Sequence, residues 1–126
     1  MKQYTDIEQS RTLTAILPLE SADMYYPNRT DIKYQGALPI EYKHGNPLLS
    51  QEIAAWSLAA LLDVLKQVKE IKYQRVTILV GRFAGNHWYV ELLRVQDERS
   101  VCIEHSKELV DACYEMIIRL HKQKLL

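Results

Sequence analysis

In Cys102-Ile-Glu-His105 a thiol and an imidazole stand three residues apart. These are two soft zinc ligands, or a nucleophile with a base beside it. A structural zinc site needs a second ligand pair. Cys113 falls inside an apolar helical stripe, however, and His44, His87 and His121 show no ligand spacing, so neither metal nor cofactor is expected. Cysteine catalysis with His105 or His87 would need a stabilised thiolate and an oxyanion hole, and no glycine-rich elbow surrounds either cysteine. Gly45, Gly81 and Gly85 fit neither the dinucleotide fingerprint nor the phosphate loop. The carboxylate pairs Asp97-Glu98 and Glu104/Glu108 belong to a turn and a helix start, where acids offset the helix dipole. The chain therefore reads as a non-enzyme, with a small hydrolase or zinc enzyme as the third-ranked class.

What remains is binding chemistry of two kinds. Tyr25, Tyr26, Tyr34, Tyr42 and Trp56 supply large rings with one polar handle, the side chains favoured at protein interfaces. Trp56, just before Ser57, either staples the start of a helix or anchors a partner. Lys66, Lys69, Lys72 and Arg75 recur every third residue, with Arg82 beyond, Tyr73 beside them and only Glu70 opposing. Such a basic ridge suits phosphates and makes a nucleic-acid-binding accessory protein the alternative reading.

Elements must position these groups. With 126 residues the chain has room for a single domain, residues 1–126. At 48% hydrophobic and 25% charged it is composed like a globular protein. The net charge is zero, but residues 1–63 carry 5 basic and 8 acidic side chains and residues 64–126 carry 11 and 8. That balance excludes wholesale attraction to nucleic acid or to an anionic membrane and leaves only local contacts. The polar start lacks a secretory core, and Asp63, Lys66 and Gln67 interrupt the best apolar run, so a cytoplasmic chain without a membrane span, carrying two free thiols, is expected.

Ile7, Leu13, Ile16 and Leu17 predict a helix over 6–17, ended by Pro18. Residues 19–49, rich in Tyr and Pro, read as an irregular but ordered loop with room for a short strand, pinned to the surface by packing of its tyrosine rings. Leu58, Leu61, Leu62, Leu65 and Val68 form a helical stripe whose N-cap is Ser50 or Ser57. Val76, Ile78 and Val80, then Gly85-Asn86, then Trp88, Val90 and Leu92 predict a hairpin, with Trp88 in the core. Val101 and Ile103 extend it to a third strand, and Ser106 caps a last helix striped by Leu109, Cys113, Met116, Ile117 and Leu120. The fold class is α+β: two layers, a three-stranded antiparallel meander packed by helices, in the order α-loop-α-β-β-β-α. The outer sheet face would show Thr77, Tyr89, Glu91, Cys102 and Glu104.

Four strings carry a family resemblance: Ser21-Ala-Asp-Met-Tyr-Tyr26, Trp56-Ser-Leu58 with Leu61-Leu62, Trp88-Tyr-Val90, and Asp111-Ala-Cys-Tyr-Glu-Met-Ile117 with Leu120. From Ser21 onward the chain resembles small uncharacterised proteins encoded by phages and mobile elements of gut bacteria. It departs from them at Ala55 and Lys66, where they tend to have proline. The resemblance implies a mobile-element setting and no activity. The expectation is a small cytoplasmic, non-catalytic module that binds a protein partner or a copy of itself through the open sheet face and the Tyr-rich segment.

Overall fold

The computed structural model describes residues 1–27, 36–40, 48 and 51–126. The elements run α1 (Ile7–Thr14), β1 (Met24–Tyr26), β2 (Leu38–Pro39), β3 (Ile53–Ala55), α2 (Leu58–Leu65), β4 (Glu70–Ile71), β5 (Gln74–Phe83), β6 (His87–Arg94), β7 (Ser100–Ser106) and α3 (Leu109–Lys122). Among the described residues this is an α+β fold with three helices and two antiparallel sheets, ordered β2-β1-β3 and β4-β5-β6-β7. The chain packs as two compact units, Gln3–Ala60 and Leu61–Leu126, the latter joined by Met1–Lys2.

In the unit Gln3–Ala60, α1 starts at a capping box. The Asp6 carboxylate accepts the Gln9 N–H at 2.8 Å, and the Gln9 side chain accepts the Asp6 N–H at 3.1 Å. The helix stops at Thr14, short of Leu17. Near its end the Thr12 and Thr14 hydroxyls donate to the Glu8 and Ser10 carbonyls, a local alternative to helical bonding. The described residues of the Tyr-rich segment, 19–27, 36–40 and 48, hold two short strands, β1 and β2, which pair with each other while β1 also pairs with β3. Strands of two or three residues are too short to display the two-residue alternation that marks a strand in sequence. Trp56 is fully buried. Its backbone exchanges hydrogen bonds with Thr5, and its indole N–H donates to the Ser21 hydroxyl at 2.9 Å.

Ser57, not Ser50, caps α2: its hydroxyl accepts the Ala60 N–H at 3.2 Å and bonds to Asp23, whose carboxylate also takes the Ser57 N–H at 2.8 Å. The helix ends at Leu65. The next bonds run three residues back, from Gln67 to Val64 and from Val68 to Leu65, and the Lys69 carbonyl is taken by the Val76 N–H.

In the unit containing Leu61–Leu126, β5 and β6 form the expected hairpin, paired from Val76↔Arg94 to Phe83↔His87. Gly85 and Asn86 have positive φ in its three-residue loop. β7 completes the meander. Sequence periodicity missed β4, a two-residue strand that adds a fourth member through Glu70↔Arg75 and Ile71↔Gln74. Val90 and Leu92 are fully buried on the face toward α3, whose Ala112, Cys113, Met116, Ile117 and Leu120 are fully buried too. Trp88 shares that face but is only half-buried, with the Arg82 guanidinium 5.1 Å above its ring.

One expectation about faces is corrected. Cys102 and Glu104 point inward, not outward, because their cross-strand partners are the core residues Leu92 and Val90. The register shifts between Leu92 and Leu93, so Val101 is the extra residue of a bulge and stays exposed. Ser106 ends β7 instead of capping α3, whose first turn follows Glu108.

Truncating Leu92 to Ala is expected to lower unfolding stability by about 2–5 kcal/mol, whereas Thr77→Ala on the outer face stays within about 0.5 kcal/mol. Urea titration followed by circular dichroism measures both.

Candidate binding surface on the four-stranded sheet

Alternation along β5, β6 and β7 sends every second side chain away from α3. From Thr77 onward these are Thr77, Leu79, Gly81 and Phe83 on β5. On β6 they are His87, Tyr89, Glu91 and Leu93, and on β7 Ile103 and His105. None of them is buried, and Leu79 and Phe83 are 41% and 45% exposed. Glu91 is the one formally charged side chain in this set.

Rings dominate the end near the hairpin loop. Phe83 stacks on Tyr89 with centroids 4.6 Å apart and planes at 29°. Tyr89 lies over its cross-strand partner Gly81, where a Cβ would come within 2.2 Å of the ring, so glycine leaves the space the ring fills. The rings of His87 and His105 sit 4.9 Å apart, with His87 Nε2 and His105 Nδ1 separated by 2.7 Å. Phe83 is 6.4 Å from His105 and 6.5 Å from His87, completing a four-ring cluster.

The residues singled out for catalysis do not assemble. Cys102 and His105 lie three apart on a strand and therefore on opposite faces. Cys102 is buried, its Sγ 3.6 Å from Met116 Sδ. Burial pushes its thiol up, with a smaller upward push from Glu104 and an opposing pull from Arg119. Burial takes the Cys113 thiol up to about 12. Neither position favours a thiolate. The acids are held structurally: Glu104 pairs with Arg119 at 3.1 Å, and Glu108 accepts the Lys2 N–H at 2.8 Å. For Asp97, desolvation is outweighed by the Arg99 N–H and by the charge and hydrogen bond of Arg94, which hold its carboxyl below the usual range.

The aromatic surface is also not where the tyrosines suggested. Tyr25, Tyr26 and Trp56 are buried, which removes them as surface anchors. The Tyr26 hydroxyl donates to the Thr5 carbonyl at 2.6 Å and is pushed up to about 12 by burial, then by Tyr4 and Asp6. Tyr34 and Tyr42 lie outside the described residues. Phe83, His87 and Tyr89 carried a usable signal: rings at alternate positions flanking Gly85-Asn86, out of phase with the core residues.

The four basic residues are all exposed and run from just after α2, which ends at Leu65, to the start of β5. Lys66 lies 4.0 Å from Asp63, and Arg75 faces Glu70 across β4 and β5. Lys69 precedes β4. Lys72 and Tyr73 form the two-residue loop between β4 and β5, both with positive φ, and Tyr73 is 96% exposed. Lys72 lines an open groove of about 410 Å³ with Arg94 and Arg99, two cations that the spacing of the lysines did not reveal.

Native protein is expected to leave both cysteines unreactive toward a thiol-specific disulfide reagent at neutral pH, and urea to release two equivalents. Folding raises the Cys113 value, so its contribution to stability is present below 9.0 and is lost as pH rises toward about 12. Alkaline melts should show that loss.

Comparison with protein-family models, curated proteins and solved structures found no match to the chain, so its chemistry rests on the residues described above.

Proposed function

We propose that the protein is a non-catalytic protein-binding module acting through the outer face of β5, β6 and β7, with a second copy of itself as the partner. The uncovered ring cluster of Phe83, Tyr89, His87 and His105, flanked by Leu79 and Ile103, carries this reading. Water contact with such a surface costs about 25 cal/mol per Å² of apolar area, and burial against another apolar surface recovers that cost. A copy of the chain offers the same charge-poor, ring-rich face. The setting goes with the proposal: the cytoplasm of a bacterium carrying a phage or mobile element, as the sequence resemblance implies. Among the described residues no helix is long and apolar enough to cross a membrane.

Sedimentation velocity over a range of protein concentrations tests it. Wild-type protein should self-associate, and Phe83→Ser with Tyr89→Ser should weaken association by at least about tenfold, the effect of losing ring anchors at an interface. A wild-type chain that stays monomeric throughout overturns the reading.

One observation favours a second reading. Tyr73 and Lys72 stand at the tip of the β4–β5 loop beside a groove containing Arg94 and Arg99. A fully exposed ring next to cations suits single-stranded nucleic acid, with a base on the ring and phosphates on the cations. Asp97, 2.8 Å from Arg94, partly neutralises that groove, which is why this reading ranks second. Under it, Lys72→Glu with Arg99→Glu abolishes salt-sensitive binding of a fluorescent oligonucleotide and leaves sedimentation unchanged. An oligonucleotide that fails to bind at low salt sinks it.

A further inference from the structure

We propose that His87 and His105 together bind a divalent transition-metal ion on the outer face of the sheet. The two nitrogens that face each other, His87 Nε2 and His105 Nδ1, are 2.7 Å apart. At that separation they share one proton, one ring donating and the other accepting through its lone pair. When that proton moves to the other nitrogen of the donor ring, both rings stay neutral and the two facing lone pairs are free to bind a metal at one point. With zinc–nitrogen distances of about 2.0–2.1 Å, two tetrahedral ligands stand about 3.3 Å apart, so the rings must separate by roughly half an ångström. His105 is exposed and His87 half-buried at the surface, and side-chain torsions alone supply that movement.

The backbone holds the pair in place. Tyr89 is the direct cross-strand partner of His105, and His87 stands two residues before it on the same face. The imidazoles are therefore diagonal neighbours on adjacent paired strands. Phe83, stacked on Tyr89 and 6.4–6.5 Å from both imidazole rings, restricts how far either can swing.

Imidazole nitrogen selects copper, nickel and zinc over magnesium and calcium. Among the described residues no group of three or more His, Cys, Asp or Glu converges. The protein thus supplies two ligands and leaves the other coordination positions to water or to an added donor, an open site rather than a closed structural one. The pair lies within the surface proposed for self-association, but metal binding needs only one chain.

Zinc titration of chelator-stripped protein by calorimetry, at a protein concentration where sedimentation shows monomer, tests the site. One Zn²⁺ per chain is expected for the wild type. Loss of an outer-shell partner already costs about 10–100-fold in metal affinity, so His87→Ala or His105→Ala, each removing a direct ligand, should cost at least that. His121→Ala, a control on α3, should bind as the wild type does, and circular dichroism checks that each variant is folded. Zinc binding that survives both alanine substitutions, or its absence from the wild type at concentrations on the order of 100 µM, overturns the proposal. Sedimentation in chelator reads self-association separately, so the two proposals fail independently.

Discussion

Strand register in the β5-β6-β7 meander is the constraint on which the surface chemistry depends. A strand side chain has two choices of face, and a shift of one residue exchanges them for the whole strand. Val90 and Leu92 on β6 are drawn under α3 by burial of their apolar surface. Their partners across the ladder, Glu104 and Cys102, must follow them inward. The same pairing sends His105 outward to meet His87, and it turns Cys102 toward Met116. The thiol–imidazole chemistry suggested by linear spacing is thereby divided between two faces, and an imidazole pair that linear spacing did not suggest is formed.

Glu104 shows how the fold accommodates a charge on its inner face. It lies at the side of α3, where the Arg119 guanidinium reaches it at 3.1 Å and also donates to the Ile103 carbonyl at 3.3 Å. A partly exposed, hydrogen-bonded pair avoids most of the desolvation cost of a lone buried carboxylate. The same economy holds throughout: among the described residues no buried side-chain polar atom lacks a partner. Thr5 and Ser10, fully buried polar residues of the unit Gln3–Ala60, bond to each other at 2.7 Å.

Much of the fold is legible in the amino-acid sequence. The β5–β6 hairpin could be read because Gly85-Asn86 separates two runs of alternating residues. The α3 stripe was also plain, since Leu109, Cys113, Met116, Ile117 and Leu120 recur at helical spacing. The small sheet β2-β1-β3 was not legible, because its strands are too short to show a period. The sequence marked Tyr25, Tyr26 and Trp56 by ring chemistry alone, and ring chemistry serves a core as readily as an interface. The helical stripe that runs to Val68 in the sequence ends at Leu65 in the fold, and the basic residues follow it along the chain. The chain leaves α2 through a short turn and enters β4, which scatters Lys66, Lys69, Lys72 and Arg75.

Local pattern by itself determined the α+β class, the hairpin, the C-terminal helix and the Ser57 cap as one of two options, because periodicity and turn chemistry act between residues close along the chain. Tertiary structure alone decided which tyrosines are buried, which face Cys102 takes, and that His87 meets His105. These outcomes depend on long-range pairing and on competition for burial. No window of neighbouring residues contains that information, since the register of β7 is set by β6 and its facing helix rather than by the residues of β7 themselves.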